Sequence, residues 1–358
     1  MIDLQSILIY LGLPLLSFFI AKYAEQTNNK KVVWLIVILM SLVAGMRDIS
    51  VGIDTKTYDG IFHLVSLDKT NQIYGVEESF KKICEVLLHI WNNNHFLFFV
   101  FALLTHGLII FRLWQEKDHL FFRWSVISYY ILIFPFSLNG LRQAVAVAIV
   151  FYATGLLKKG KYVKFSVAVL IASLFHSSAI IGIVYLFFEV IILKYFEAKR
   201  KIFIYLVLIL GVTVGLSEVL NMVNSYSKYL ERQATSVGIM MIVKIMFLLA
   251  SFIIIKIPKG NKEEYYSSFH QRWVYLVGLL LNSLSYIFLY VGRIGLYFYV
   301  YEAIYIGCVF KEKNRTIWVV LFKCAYVFLM LYYLYNNISK GAQGEMPYRF
   351  FWQTRSIY

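Results

Sequence analysis

The chain has 358 residues, of which 60% are hydrophobic and 15% charged, and its mean hydropathy is +0.67. So little polar surface excludes a pair of soluble globules, and so much apolar surface excludes a disordered chain. The net charge of +15, from 35 Lys and Arg against 20 Asp and Glu, would suggest nucleic acid in a soluble protein. In a membrane chain it is first a topology signal, and no nucleic-acid partner is expected.

A helix crosses a bilayer with about 20 mostly apolar residues. Candidate spans run 3–21, 32–46, 95–113, 121–138, 141–157, 162–175, 177–193, 202–220, 237–257, 273–291, 294–310 and 316–335. These twelve define an all-α, polytopic membrane protein. The first span has no basic leader and no small-residue cleavage site, so it is read as staying in the bilayer. Spans 32–46 and 162–175 are short, which is tolerated where one end opens onto a cavity. Cys84, Cys308 and Cys324 are far apart and show neither disulfide nor metal-ligand spacing.

With the N-terminus outside, six loops fall on the cytoplasmic side. They carry Lys22, Lys30 and Lys31; Arg112, Lys117 and Arg123; Lys158, Lys159, Lys161 and Lys164; Lys194, Lys199, Arg200 and Lys201; Lys256, Lys259, Lys262 and Arg272; and Lys311, Lys313 and Arg315. These are 21 of the 35 basic residues, as the positive-inside rule requires. Both termini then lie outside. Residues 1–335 form one transmembrane domain, including an external segment 47–94, and 336–358 form an external tail. Within 47–94, residues 77–91 predict an amphipathic helix, with Phe80, Ile83, Leu87, Ile90 and Trp91 on its apolar face. No internal repeat and no soluble catalytic appendage is visible.

Residues that do not fit a lipid-solvated helix carry the chemistry. No P-loop, Rossmann glycine pattern, HExxH or zinc spacing occurs. Arg47, Arg142, His176 and Arg293 come from different helices but share the outer level, and Arg232 lies in the external loop 221–236. Outward arginines oppose the topology bias, and a charge deeper in the bilayer costs about 2.5–3.5 kcal/mol. A single arginine at a helix end snorkels to headgroups. Several at one level suit a multiply charged anion, because guanidinium forks match phosphate oxygens. Arg142 adds a helix N-terminus after Asn139-Gly140. His176 reads either as a hydrogen-bonded structural histidine or as a base.

Asp54, Tyr58 and Phe62 share a helical face, as do Arg293, Tyr297 and Tyr301. Asp54 is either an N-cap, with Thr55 as its rival, or a group that orients an arginine or takes a proton. The tyrosines suit a stacked sugar or ordinary interface packing. Lys244, Glu302, Lys323, Glu218 and His106 are further intramembrane polar residues, with Glu302 and Lys323 expected as a structural ion pair.

At these positions the chain resembles the EpsG-like branch of the Wzy polysaccharide polymerases. The matching elements are Arg47 to Phe62 with its RxxxxGxDxxxY core, Asn139-Gly140-Leu141-Arg142-Gln143, Ala172 to Ala179 around His176, and Gly292-Arg293 with Tyr297-Phe298. The resemblance covers most of residues 40–310. It implies a glycosyltransferase of the polytopic C type in a bacterial cytoplasmic membrane. Such an enzyme polymerises undecaprenyl-diphosphate-linked repeat units for O-antigen, capsule or exopolysaccharide on the extracytoplasmic face. The expected partners are those lipid-linked glycans, the bilayer, a flippase and a chain-length regulator. Arg47, Arg142 and Arg293 would hold the diphosphate without a metal or other cofactor, and Gln143, Tyr58 and Tyr297 would position the substrate. His176 would take the acceptor proton, with Asp54 as rival base. A lipid-linked oligosaccharide flippase and an O-antigen ligase are the competing readings.

Overall fold

In a computed structural model of the chain, the described residues are 3–187, 239–255, 262–285, 289–313, 316–341, 344 and 346–353. Apolar runs punctuated by Asn, Gly and Lys fold as helices. Asp3 accepts from the Ser6 N–H (2.8 Å) and opens α1 (Leu4–Thr27), which contains a π turn at Leu8–Gly12. Asn28 ends α1 in the left-handed region, φ 50°, and Asn29 caps α2 (Lys30–Gly45) by accepting from Lys31 N–H (2.9 Å). Then come α3 (Thr55–Ser66), α4 (Glu78–Ile90), α5 (Asn94–Gln115), α6 (Phe122–Asn139), α7 (Leu141–Leu157) and α8 (Tyr162–Phe175). A 3-10 turn, Ser177–Gly182, leads into α9 (Ile183–Phe187). The remaining helices are α10 (Ile239–Ile254), α11 (Lys262–Leu284), α12 (Leu289–Tyr299), α13 (Glu302–Lys311) and α14 (Ile317–Lys340). Among the described residues there is no strand, and a single bridge joins Arg47 to Phe350.

The all-helical membrane architecture is as expected; the set of twelve spans is not seen. Among the described residues four helical stretches are long and apolar enough to cross a membrane: Leu4–Thr27, Asn94–Gln115, Val291–Lys311 and Ile317–Asn336. Leu141–Leu157, Tyr162–Phe175, Ser177–Leu186 and Met240–Ile254 are apolar but shorter. The expected span 202–220, the end of 177–193, the 194–201 loop, Glu218 and Arg232 lie outside the described residues.

Packing follows from small residues and from where charge is placed. α2 lies between α1 and α5, α5 packs on α7, α7 on α8, and α6 sits between α1 and α13. A Cβ at Gly45 would stand 2.6 Å from the Phe99 Cα, so glycine there sets the close approach of α2 to α5. Two arginines expected in loops are instead inside helices and buried. Arg112 pairs with Glu116 (2.6 Å), which Lys158 also reaches (2.7 Å). Arg272 donates to the carbonyls of Ser251 (3.1 Å) and Ile255 (3.4 Å) at the end of α10, supplying donors that the helix terminus lacks. Glu302 pairs with Lys244 (3.0 Å), not with Lys323. Lys323 is level with the far end of α13 and donates to the carbonyls of Phe310 (3.3 Å) and Glu312 (2.9 Å).

The segment between α2 and α5 builds a second small core. Tyr58, Ile61, Phe62 and Val65 of α3 and Phe80, Cys84 and Leu87 of α4 meet Phe98 and Phe101 of α5 and Leu141 and Val145 of α7. The expected amphipathic helix 77–91 is α4, but its apolar face is narrower than expected. Ile90 and Trp91 are 67% and 60% exposed, because α4 meets the bundle along its first turns and the chain then turns outward at Trp91–Asn93. The tail closes over the same end. Tyr348 N–H donates to Ser6 Oγ (2.8 Å), Asp48 N–H to the Arg349 carbonyl (2.8 Å) and Gly52 N–H to the Gly344 carbonyl (2.8 Å). The start of α1, the 46–52 loop and residues 344 and 346–353 therefore share one end of the bundle.

Candidate active site

The site begins at the break between α6 and α7. Asn139 ends one helix, Leu141 starts the next, and the single residue between them is Gly140, where a Cβ would run into the Phe136 ring. The break leaves carbonyls at the end of α6 without helical partners. Arg47 supplies them. Its fully buried guanidinium donates to the carbonyls of Leu138 (3.0 Å) and Ala44 and to Thr55 Oγ1 (3.4 Å), and lies 4.6 Å from the Phe98 ring centre. Arg47 thus caps the last turns of both α2 and α6, where a positive charge also meets the negative end of each helix dipole. Gly52 holds the loop in place at φ 93°, with the Leu138 carbonyl 2.9 Å from where a Cβ would be.

The same break puts Arg142 and Gln143 in the first turn of α7. Arg142 points toward α4, over the Phe80 ring (5.3 Å), and its Nη1 forms an ion pair with Glu77 Oε2. Its Nε is buried and has no hydrogen-bond partner. Glu77 occupies the N-cap position of α4 but makes no capping bond. Its second oxygen, Oε1, accepts from Ser177 N–H (3.1 Å) and stands 3.8 Å from His176 Nδ1. One carboxylate therefore joins α4, α7 and the turn after α8.

His176 sits in that turn in extended backbone (φ −155°, ψ 122°). Nδ1 accepts from Ser178 N–H (3.3 Å) and lies 3.3 Å from Ser178 Oγ, which is 3.1 Å from the Tyr297 hydroxyl of α12. Burial, then the charges of Arg142 and Arg293, push the imidazole down from 6.5 to about 4. The ring is therefore neutral near pH 7. Gln143 reaches across to α12, donating to the Arg293 carbonyl (2.7 Å), and Tyr185 of α9 donates to the Tyr297 carbonyl (2.6 Å). The Arg293 side chain is exposed.

Of the residues expected in a site, Arg142, Gln143, His176, Arg293 and Tyr297 converge. Tyr58 joins them from α3: its buried hydroxyl contacts Arg142, and burial pushes it up. Asp54 is exposed at the start of α3 and makes no side-chain cap; its N–H donates to Asn139 Oδ1 (3.4 Å). Arg47 stands apart, with its guanidinium occupied by carbonyls. The sequence reading missed Glu77. A carboxylate at the start of an amphipathic helix is an ordinary dipole partner, and nothing in its neighbourhood in the chain points to Arg142. Among the described residues no three His, Cys, Asp or Glu side chains cluster as a metal site needs.

These features define a class: a polytopic helical membrane protein in which Arg142 of α7 and a neutral His176 in the turn after α8 face one carboxylate, with Arg293 of α12 in electrostatic reach. The chain belongs to the EpsG family, which it matches over residues 6–350, a family of Wzy-like polysaccharide polymerases. No curated protein and no solved structure matches it.

Proposed function

We propose that the protein polymerises undecaprenyl-diphosphate-linked oligosaccharide repeat units at the extracytoplasmic face of the cytoplasmic membrane. The observation that carries this reading is the convergence of Arg142 and His176 on a single carboxylate, with Arg293 in electrostatic reach of the same imidazole. A lipid diphosphate is a multiply charged leaving group, and two arginines offer it both attraction and directed donors. The acceptor hydroxyl oxygen attacks the anomeric carbon and the bond to the diphosphate oxygen breaks. The electron pair leaves with the lipid diphosphate, where Arg142 and Arg293 stabilise the charge, and His176 takes the hydroxyl proton. A single displacement inverts the anomeric carbon, and in this reading no metal is required. Tyr58, Gln143 and Tyr297 place the reacting groups, and Asp54 at the exposed rim is the rival base. Arg47 serves the same site from behind, by holding the end of α6 from which α7 departs.

The flippase reading calls for charges facing a path through the bundle. Deep in this bundle Lys244 and Glu302 are spent on each other and on the hydroxyls of Tyr299 and Tyr326, which favours a transferase. The test is the glycan profile of a strain lacking the protein, complemented with wild type, Arg142→Ala or His176→Ala at matched membrane levels. Wild type restores a ladder of polymer, and both variants leave single-repeat products. Full-length polymer from either variant, or lipid-linked units trapped on the cytoplasmic side of the deletion strain, overturns the assignment.

A further inference from the structure

Glu77 has no part in the proposed transfer, yet it occupies the centre of the site. Its two oxygens sit where a bound anion's oxygens belong: one on the Arg142 guanidinium, the other on the Ser177 N–H. Arg142 has a second donor to offer, because its buried Nε has no partner. The opposite side of the same carboxylate faces His176 Nδ1 at 3.8 Å, too far for a hydrogen bond.

The ring's own bonds matter here. A backbone N–H is always a donor, so Nδ1, which accepts from Ser178 N–H, carries no proton. In a neutral imidazole the proton then resides on Nε2, and a protonated Nε2 donates and is no base. For Nε2 to take a proton, Nδ1 must carry one and face an acceptor. Among the described residues the carboxylate nearest Nδ1 is Glu77.

We propose that Glu77 is a switch: a phosphate group of the donor displaces its carboxylate from Arg142, and the released carboxylate turns to His176 Nδ1, converting the ring from an Nε2–H donor into an Nε2 base. The inference rests on the reading of the site as a diphosphate pocket. Each step balances. The ring exchanges its Nε2 proton for one on Nδ1 through water and stays neutral; during transfer Nε2 gains the acceptor's proton; the imidazolium, paired with Glu77, then returns that proton to water. The base is thus made only when the donor is in place, which suppresses attack without a leaving group bound. A closure of about 1 Å brings 3.8 Å to hydrogen-bonding distance, a shift within reach of one side-chain torsion at the start of α4.

The experiment uses the full chain in lipid nanodiscs, with nitrogen-15 histidine and inorganic pyrophosphate as probe. The His176 signal is assigned by its loss in His176→Gln. Pyrophosphate is expected to move the ring proton from Nε2 to Nδ1 in wild type. In Glu77→Gln pyrophosphate is expected to bind about tenfold tighter, since the competing charge is gone, with no change of tautomer. Turnover in that variant falls without a rise in KM. Pyrophosphate binding that leaves the wild-type tautomer unchanged, or weaker binding in Glu77→Gln, overturns the switch while the anion pocket stands. No pyrophosphate binding to either form overturns the pocket itself. A tautomer change driven by glucuronate and not by pyrophosphate assigns the displacing oxyanion to an acidic sugar and overturns the diphosphate assignment. The wild-type measurement decides the matter even where the variant does not fold.

Discussion

Glu77 and Arg142 lie 65 positions apart in the chain and form an ion pair between the first turns of α4 and α7. Both side chains are mostly sheltered from water, at 23% and 15% exposure, so the contact is felt more strongly than a surface pair would be. It also ties α4 to α7, and Glu77 makes no capping bond within α4 itself. Arg142→Lys keeps the charge but loses the planar fork and the Nε donor. Polymer yield per unit of protein is expected to fall about 10²-fold, the order seen when one oriented donor at a reacting centre is removed. The check is a radiolabelled chain-extension assay with purified lipid-linked repeat units.

Arg47 is expected to behave differently from Arg142. Arg47→Ala strips the guanidinium from the buried carbonyl of Ala44 and leaves that of Leu138 only the Thr55 hydroxyl (3.3 Å), at a cost of about 1–3 kcal/mol for a group left unsatisfied. The measurable outcome is a lower unfolding midpoint in detergent, with pyrophosphate affinity retained by the folded fraction. A variant with wild-type thermal stability and no pyrophosphate affinity would show that Arg47 contacts the substrate.

His176 sets the pH behaviour. Its value falls from 6.5 to about 4 on folding, through burial and the charges of Arg142 and Arg293. The native state therefore favours the neutral ring, so this contribution to stability is complete above about pH 6.5 and is lost as pH falls toward 4. The acid limb of kcat/KM, which reports the free enzyme, is expected near pH 4. A bound diphosphate offsets the two arginines, so the limb in kcat lies at higher pH. Coincident limbs near 6.5 in both profiles would remove His176 from the basic cluster.

The Tyr297–Ser178–His176 chain of contacts, 3.1 and 3.3 Å, ties α12 to the turn after α8. Tyr297→Phe keeps the ring and its packing but loses the hydroxyl. About one neutral hydrogen bond is lost, so kcat is expected to drop roughly fivefold to tenfold with KM little changed. Steady-state kinetics separates this from a packing defect, which would lower the unfolding midpoint instead.

Lys244 and Glu302 offer a test of a purely architectural pair. Lys244→Met leaves the Glu302 carboxylate buried with only tyrosine hydroxyls around it, and a loss of about 3–5 kcal/mol is expected. Adding Glu302→Gln removes the stranded charge and restores most of the stability. Thermal unfolding of the single and double variants measures both effects, and strictly additive losses would contradict the pairing.

Much of this protein is legible in the sequence because its causes are local. Apolar runs bounded by Asn and Gly breakers and by charged Lys make helices, since a backbone in lipid must satisfy its own polar groups. The helix over 77–91 and the start of α7 at Leu141, with Arg142 in its first turn, need only patterns a few residues long. Arg142, His176 and Arg293 stand out as candidates by polarity placed where lipid disfavours it, Tyr297 by its spacing from Arg293, and Gln143 by the family resemblance. What only the tertiary structure decided is which of these groups face one another. Arg47 and Arg142 look alike in the sequence, but the end of α6 takes the first to satisfy its carbonyls, while α4 presents Glu77 to the second. Glu302 likewise has two lysines in its vicinity along the chain's helices, and the packing of α10 chose Lys244. Pairing depends on angles and depths between helices, which the pattern of one strip of sequence does not contain, and it is this pairing that sets Arg142, Glu77 and His176 against one another.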